Sequence, residues 1–396
     1  MLARGQERRG APCQTEAVIV EPQPDSPLCD VTFSWTETDG DRPAHDVLVR
    51  LIALTDHAQD DGDLDPYLLE RVEKGVWSGS LRLPSDLRTS YQLCPVRDRP
   101  LRGDPPDDER WAEILAAGIL DPTNSSTLAA SCTFGNPGPA SILELPAATA
   151  QPWHARRPEA PRGAVTRHEL GRGEGSSVIH VYTPPCPAGR EPLPVAVLFD
   201  GGTLMTLDAT ATFDNLLADG VVGPMVAVIV ESIRGAAPRG PTRIRSLTDP
   251  GLFLPFLLEE LMPFVAAGWN VSEDPAQTLL VGQSLGGLTA AHAALAAPDR
   301  FGAVLGQSSA YWWPGGADGE LSGANVIDAY ATNPRAPIRF FLEAGATERE
   351  LVERNRRMRD VLGEQGYDLS YREYQGGHDY ACWRGGLADG LIALLT

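Results

Sequence analysis

A serine in a tight glycine-rich turn is the residue of this sequence best placed to act as a nucleophile. Ser284 is the centre of a G-x-S-x-G pattern between Gly282 and Gly286, after the apolar run 278–281 and before a segment rich in Ala and Leu. Glycines two positions before and after the serine let a strand and a helix approach closely, and the turn lifts the hydroxyl clear of the sheet. The pattern predicts a nucleophilic serine, with a plain structural turn as the alternative.

A serine hydroxyl needs a base to remove its proton, and two histidines follow Ser284. His292 falls on the predicted helix itself and is expected to point away from the turn. His378 lies in a glycine-rich loop, 375–379, after a predicted strand at 369–374. Because serine hydrolases built on such a turn carry the histidine last, in the order Ser, acid, His, we predict that His378 is the general base.

The acid that orients the base is expected in the loop after the predicted strand 338–342. Glu348 occupies the carboxylate position of a G-x-x-[DE] loop that begins at Gly345, and it is our choice. Glu343 at the strand end and Glu350 are the alternatives, although the first also suits a buried bridging role and the second a surface salt bridge. A Ser–His dyad without an acid is also compatible with the sequence.

An oxyanion formed on an ester carbonyl needs backbone N–H donors. The N–H of Leu285 directly follows the nucleophile. A second donor is expected after the predicted strand 195–199, where Gly202 is the first choice and Gly201 the second. An ordinary turn is the alternative for this glycine pair.

The elements that position these residues are short apolar strands that alternate with helical segments. This alternation predicts an α/β domain with a mostly parallel sheet and helices on both faces. The predicted strands are 178–182, 195–199, 225–230, 278–281, 303–307 and 338–342, and the predicted helices are 252–267, 285–297 and 350–364.

The first part of the chain shows a different pattern, with closely spaced strands and only one short helix, at 109–117. Predicted strands at 17–20, 31–35, 46–54, 75–83 and 90–95 indicate a small β-sandwich. We therefore divide the chain into a leader (1–29), an N-terminal β-sandwich (30–145), a Pro- and Ala-rich linker (146–162) and a catalytic domain (163–396).

Composition excludes several classes of partner for these 396 residues. The formal net charge of −20 argues against nucleic acid and against an anionic membrane surface. The six cysteines are scattered without metal-ligand spacing, which predicts reduced thiols and no metal site. No run of about 18 apolar residues and no secretory signal are evident, so we expect no membrane helix and a cytoplasmic location.

Beyond the G-x-S-x-G turn, several longer segments closely resemble the enterochelin esterases, which belong to the esterase D group of α/β-hydrolases. The resemblance covers nearly all of the chain and is far more specific than the turn alone. The segments are Val281–Gly287, Gln307–Pro314, Phe341–Gly345, Gly376–Asp379 and Cys382–Leu387, with Val31–Trp35, Leu54–His57 and Asp121–Asn124 in the N-terminal part.

The resemblance implies an α/β-hydrolase domain preceded by a small all-β, immunoglobulin-like sandwich. It implies a cytoplasmic serine esterase that cleaves the ester bonds of a cyclic trilactone catecholate siderophore, ferric or iron-free, so that iron is released. It also implies no metal cofactor, since iron arrives as part of the substrate. The sequence leaves the oligomeric state open.

A ferric catecholate complex is anionic with aromatic faces, so arginine and tryptophan suit it. Arg243 matches the arginine of the family's R-x-x-E-L element, although Ser246 replaces its glutamate. The family often carries an aromatic pair where this chain has Thr203-Leu204, which leaves the preferred siderophore open. The other candidates are Trp312, Trp313, Trp383 and Arg384, with core packing as the alternative for each tryptophan.

Two other functions are compatible with the same residues. The first is a general carboxylesterase or acyltransferase of the esterase D group. The second is a siderophore-binding protein without catalysis, which the presence of every predicted catalytic residue disfavours.

Overall fold

The computed structural model of the protein describes residues 18–24, 26–38, 40, 42–130, 138–171, 175–185, 191–235, 243–313 and 325–396. Most of the predicted leader, residues 1–17, lies outside these ranges, as do Cys13, Cys132, Cys186 and Pro314. The described chain forms an all-β N-terminal domain followed by a domain with one large sheet.

Two four-stranded antiparallel sheets form the N-terminal domain. Side chains alternate along its strands, so that Phe33 and Trp35 enter the core while Ser34 pairs outside with Ser78 on the neighbouring strand. The predicted all-β domain is thereby confirmed. In spatial order, the first sheet contains β1 (Val18–Pro22), β2 (Leu28–Thr36), β5 (Val76–Pro84) and β4 (Glu70–Glu73). The second sheet contains β3 (Asp46–Leu51), β6 (Arg88–Val96), β8 (Ala140–Glu144) and β7 (Thr127–Leu128). Two helices, α1 (Thr55–Asp60) and α2 (Asp108–Ala116), lie in the connections between strands.

The second domain contains a nine-stranded mixed sheet. Six adjacent strands run parallel to one another, in the spatial order β12, β11, β14, β15, β16 and β17. The strands β9, β10 and β13 are antiparallel to their neighbours. Its strands are β9 (Ala164–Leu170), β10 (Gly175–Thr183), β11 (Val195–Leu198), β12 (Val226–Val230), β13 (Arg234–Gly235), β14 (Thr278–Gln283), β15 (Ala303–Gln307), β16 (Arg339–Gly345) and β17 (Asp368–Tyr374). The spatial order is β13-β10-β12-β11-β14-β15-β16-β17, with β9 beside β10.

Helices cover both faces of this sheet because successive strand residues point to opposite sides. Leu280 packs with the helices of one face, whereas Leu279 and Val281 pack with α4 and α11 on the other. The helices are α3 (Gly201–Thr206), α4 (Ala209–Ala218), α5 (Arg243–Thr248), α6 (Pro250–Pro255), α7 (Met262–Gly268), α8 (Leu285–Ala296), α9 (Val326–Thr332), α10 (Glu350–Glu364) and α11 (Tyr380–Leu395).

Helices α6 and α7 continue through a π-helical segment, Phe256–Leu261. Pro263 has no N–H to donate to the preceding turn, which favours this widening. The whole helix, Pro250–Gly268, is long and apolar enough to cross a membrane by length and composition alone, a test that core helices also pass. Phe253, Leu257 and Leu261 on one of its faces belong to the main core, which accounts for part of its apolar character.

The segment predicted as a linker is bonded along the surface of the second domain. Asn215 donates from Nδ2 to the carbonyl oxygens of Trp153 and Ala155, at 2.9 and 2.7 Å. Arg156 forms ion pairs with Asp208 and Asp214. Residues 149–157 therefore form a bonded segment between the domains, which we call the interdomain strap. Its side chains and carbonyl groups form hydrogen bonds and ion pairs that amino-acid composition does not reveal.

A small apolar cluster joins the two domains beneath the loop 375–379. Leu128 and Ile142 of the N-terminal domain pack in it with Tyr380, Ala381 and Trp383 of α11. At the same boundary the Cys382 thiol donates to the Arg88 carbonyl oxygen at 3.2 Å. The loop that carries His378 is thus part of the domain interface.

Acid is expected to destabilise the fold partly through His292. Its ring packs edge-on against Phe253, with centroids 5.8 Å apart, and burial lowers its pKa. The unfolded chain therefore takes up this proton first, and stability falls with pH below about 6.5. Replacing His292 by leucine is expected to reduce the loss of unfolding free energy between pH 7 and pH 5 in urea titrations. A glutamine at the exposed His45 should leave that loss unchanged, and equal slopes for the wild type and the His292 variant would contradict the expectation.

Candidate active site

Ser284 lies at the sharp turn between β14 and α8, with φ 56° and ψ −120°. Its N–H donates to the Gln307 carbonyl at 2.9 Å, and its own carbonyl accepts from Gly287, Leu288 and Ala310. Only 8% of the residue is exposed. The backbone is held in a rarely populated conformation by bonds on both sides, as expected for a nucleophile at a strand-to-helix turn.

His378 and Glu348 are brought together by the loops that follow β17 and β16. Glu348 Oε1 lies 3.1 Å from His378 Nδ1, and Glu348 Oε2 accepts from the Gly345 N–H at 3.3 Å. The imidazole edge also packs against Trp383, with ring centroids 4.7 Å apart. A carboxylate at Nδ1 favours the tautomer that keeps its proton there, so Nε2 can act as the base.

The two alternative carboxylates have other partners. Glu343 is fully buried, accepts from Gln307 Nε2 at 2.5 Å and forms an ion pair with Arg372 at 2.6 Å. Burial raises the pKa of Glu343. Glu350 is exposed and pairs with Arg354 one helical turn on. Of the three carboxylates considered, Glu348 is the one bonded to the imidazole.

A row of polar side chains crosses the sheet next to the nucleophile. Gln283, Gln307, Glu343 and Arg372 occupy facing positions on four neighbouring strands and bond one to the next. Gln307 Nε2 also donates to the Trp383 carbonyl at 2.9 Å. The row therefore fixes the helix end that packs behind His378. No separate signal in the amino-acid pattern predicts this row, because the strand register must be known first.

The two predicted oxyanion glycines differ in surroundings. A Cβ at Gly201 would lie 2.7 Å from the Val230 carbonyl carbon, so packing on β12 requires glycine there. A Cβ at Gly202 would meet nothing within 4 Å, so the space beside this residue can hold a ligand. Leu285 begins α8 directly after Ser284.

Asp200, which precedes the two predicted oxyanion glycines, is tied to Arg243. Arg243 Nε and Nη2 donate to the two carboxylate oxygens of Asp200, both at 2.6 Å. Asp200 has φ 58° and ψ 41°, and its Oδ2 would lie 3.6 Å from a Cβ at Gly286, beside the nucleophile turn. The charge of Arg243 is therefore largely engaged within the protein, although 38% of its side chain is exposed. The sequence pattern indicated Arg243 as a site residue but did not indicate Asp200 as its partner.

The other predicted substrate residues fall into two groups. Trp383 is only 1% exposed and donates from Nε1 to Ser308 Oγ at 3.0 Å. Arg384 is half-buried, and its Nε donates to Gln151 Oε1 of the strap at 2.9 Å. Trp383 thus packs in the interior behind His378, which favours core packing, the alternative considered for each tryptophan, over contact with a ligand. Trp312 is 45% exposed, and its ring centroid lies 5.3 Å from that of the half-buried Trp313.

Loss of the Asp200–Arg243 pair is expected to impair catalysis even with a neutral substrate. Methionine at Arg243 removes both bonds to Asp200, so the predicted oxyanion loop loses its support and kcat for an aryl ester should fall about 10- to 100-fold. Methionine at Arg245, which lies on the same helix as Arg243 and pairs with Asp249 just beyond its end, is the matched control and should leave kcat unchanged. An unchanged kcat for the Arg243 variant would limit this residue to recognition of anionic substrates.

Within the described ranges no three His, Cys, Asp or Glu side chains cluster as metal ligands. Cys29, Cys94 and Cys382 are buried free thiols. Burial raises the pKa of Cys382 well above its usual value, which disfavours the thiolate needed for metal binding or nucleophilic attack.

Comparison with known proteins assigns the chain to a family. The family model for the N-terminal domain of enterochelin esterases matches residues 30–154, and the family model described as putative esterase matches residues 174–394. The iron(III) enterobactin esterase of Dickeya dadantii is 32% identical over 96% of this chain and 90% of that protein. The chain belongs to the enterochelin esterase family. This membership makes it a hydrolase that acts on esters.

Solved structures of enterochelin esterases share the whole architecture. The ferric enterobactin esterase of Salmonella typhimurium aligns with a TM-score of 0.81 and 28% identity over 96% of this chain and 97% of that one. The enterobactin esterase of Shigella flexneri, determined in the presence of enterobactin, aligns with a TM-score of 0.79 and 27% identity over 96% of both chains. The similarity therefore includes the N-terminal domain as well as the domain that carries Ser284.

Proposed function

We propose that this enterochelin esterase hydrolyses the ester bonds of an enterobactin-like catecholate trilactone, either as the ferric complex or free of iron. The main support is the His378–Glu348 pair at 3.1 Å in the domain that holds the Ser284 turn. Similarity over almost the full length to esterases named for iron(III) enterobactin supports the substrate class.

The proposed reaction is acyl transfer through Ser284. His378 Nε2 removes the hydroxyl proton as Oγ forms a bond to an ester carbonyl carbon of the lactone. The resulting oxyanion accepts hydrogen bonds from the N–H groups of Leu285 and Gly202, with Gly201 as the second choice, each worth roughly 3–4 kcal/mol. Collapse of this tetrahedral intermediate breaks the bond between the carbonyl carbon and the oxygen of the lactone's own seryl unit. His378 returns the proton to that leaving oxygen. Water, activated by His378 in the same way, then releases the acid and restores Ser284.

Glu348 is proposed to act through the imidazole. Its carboxylate accepts a hydrogen bond from the Nδ1–H group and stabilises the imidazolium that forms in each half-reaction. The bond from the Gly345 N–H fixes this carboxylate within its own loop. The proton itself stays on the histidine.

Substrate recognition is proposed to involve the exposed Trp312, the adjacent Trp313 and the outer face of Arg243. Aromatic side chains suit catecholate rings, and a partly exposed guanidinium suits the anionic complex. Arg384 is a weaker candidate because the strap already binds it. We further propose a cytoplasmic enzyme without a metal cofactor, and an immunoglobulin-like arrangement for the two N-terminal sheets.

Product analysis tests the proposal directly. The purified protein and its Ser284→Ala variant are each incubated with ferric and iron-free enterobactin, and the products are separated by liquid chromatography and identified by mass spectrometry. Linear trimer, dimer and monomer from the wild type alone are the expected result. The amount of each product also reports how many ester bonds are cut.

Three outcomes would contradict parts of the proposal. No siderophore products, together with Ser284-dependent cleavage of a simple aryl ester, would indicate a general carboxylesterase or an acyltransferase. Tight binding of the siderophore without cleavage of any ester would indicate a binding protein. Equal products from the alanine variant would exclude Ser284 as the nucleophile.

A further inference from the structure

The residues that directly follow the base and the acid are both bonded to the N-terminal domain. Asp379 follows His378 and Arg349 follows Glu348, and the two side chains reach different parts of that domain. We propose that Asp379 and Arg349 are positioning residues through which the N-terminal domain fixes the His378–Glu348 pair. The inference rests on the catalytic roles proposed above, but not on the identity of the siderophore.

Asp379 joins three elements through one buried carboxylate, which is 2% exposed. Its Oδ2 accepts from the Ser90 N–H on β6, and the Thr89 hydroxyl lies 3.4 Å from the same oxygen. Its Oδ1 accepts from the Ala381 N–H at 2.8 Å and so caps α11. The backbone next to His378 is therefore tied at once to the N-terminal domain and to the helix that carries Trp383.

The loop that carries the base touches the same strand through its backbone. The Arg88 N–H donates to the Gln375 carbonyl at 3.1 Å. A Cβ at Gly376 would lie 2.8 Å from the Arg88 carbonyl oxygen, and a Cβ at Gly377 would lie 2.8 Å from the Ala53 Cα. The two glycines before His378 are thus required by the close approach of the N-terminal domain, in addition to any freedom of the loop itself.

Arg349 makes the second connection, on the acid side. Its Nη1 donates to Asp61 Oδ1 at 2.9 Å, and its Nη2 bonds to Asp61 Oδ2 and to the His57 carbonyl. Arg349 has φ 46° and ψ −118°, a strained conformation for a residue with a side chain. The ion pair with the N-terminal domain therefore holds the end of the Glu348 loop in a backbone shape that the chain alone does not favour.

Stability alone gives no strong reason for the Arg349–Asp61 pair. Both side chains are about half exposed, with 48% and 54% of their surfaces accessible, and exposed ion pairs contribute little to stability. Catalysis is more sensitive, since a displacement of about 1 Å in a reacting group can cost about 100-fold in rate. The effect of the pair is accordingly expected in kcat rather than in the melting temperature.

A charge exchange in the full-length protein tests the inference. Arg349→Asp, Asp61→Arg and the double variant are assayed with a neutral aryl ester, which is independent of siderophore recognition. Each single variant places like charges together and should lower kcat about 10-fold or more, with KM within about twofold of the wild type. The double variant restores an ion pair and should recover kcat to within about threefold. Arg357→Asp, which breaks an exposed pair between α10 and Asp328 of α9 within the catalytic domain, is the matched control and should leave kcat unchanged.

Asp379→Asn provides a second measurement. Asparagine still caps α11, but it offers one acceptor oxygen where two N–H donors require one each, so kcat should fall about 10-fold or more. Single variants at Arg349 and Asp61 with wild-type kcat, or a double variant as impaired as the singles, would overturn the inference. Ser284→Ala is assayed in parallel. If that variant stays active, the proposed catalytic roles fail, whereas an inactive Ser284 variant beside an unaffected Arg349 variant refutes the positioning role alone.

Discussion

Alanine at Ser284 and glutamine at His378 are each expected to lower kcat about a millionfold, and the double variant should lose no more than either single one. In the proposed mechanism the nucleophile and the base act in the same bond-forming step, so removing either residue makes the other ineffective. Residual acceleration should remain, because the oxyanion donors and the binding site are intact. Single-turnover measurements with an aryl ester provide the rates, and near-UV circular dichroism confirms that the variants fold.

The double variant distinguishes a shared catalytic step from two separate steps. Losses that multiply in the double variant would mean that Ser284 and His378 contribute to separate steps. A Ser284 variant with wild-type kcat would exclude acyl transfer through this residue altogether. Glu348→Gln is expected to show a smaller loss than either partner, since the imidazole keeps its position through the Trp383 contact.

Alanine at Gly282 is expected to destroy the nucleophile turn. The added Cβ would lie 2.1 Å from the Gly286 carbonyl carbon, 2.3 Å from its oxygen and 2.6 Å from the Gly287 nitrogen. These are backbone atoms, so no rotamer change relieves the contact. We expect a loss of about 3 kcal/mol or more in unfolding free energy and a fall of about 100-fold or more in kcat.

Gly363 provides the matched control for this substitution. It lies in α10, where an added Cβ meets nothing within 4 Å. Alanine there should raise the unfolding free energy by about 0.5–1 kcal/mol, because glycine is the poorer helix former, and kcat should not change. Urea titrations of both variants measure the contrast, and a Gly282 variant as stable as the wild type would show that β14 and α8 are less closely packed than described.

Much of the architecture could be predicted because it depends on local patterns. Apolar runs at 195–199, 225–230 and 303–307 correspond to β11, β12 and β15, and the alternation in 31–35 corresponds to β2. The glycine spacing around Ser284 fixes a strand-to-helix turn whatever the rest of the chain does. Strands such as β9 were missed, since its exposed residues lack both an apolar run and a clear alternation.

The site could be predicted only as far as chain order and loop position allow. The sequence placed His378 and Glu348 on loops that meet in the structure, and it placed Ser284 at the turn between β14 and α8. The catalytic roles of the three residues stay predictions until the variants are measured. Asp200 and Arg243 are 43 positions apart, and Ser90 and Asp379 are 289 apart. No periodicity connects such residues, because their pairing depends on which loops the sheet order and the domain packing bring together.

The thiol of Cys382 provides a native reporter of domain separation. It is buried at the interface and bonded to the Arg88 carbonyl, so we expect an alkylating reagent to reach it mainly when the N-terminal domain moves away. If reclosing is faster than alkylation, the labelling rate is proportional to the population of the open form. Mass spectrometry of the peptide that contains Cys382 would then measure the free energy of opening in the working enzyme, without any engineered probe. The same interface borders the His378 loop. We therefore expect that a molecule whose interface is open for labelling of this cysteine does not turn over substrate at the same moment.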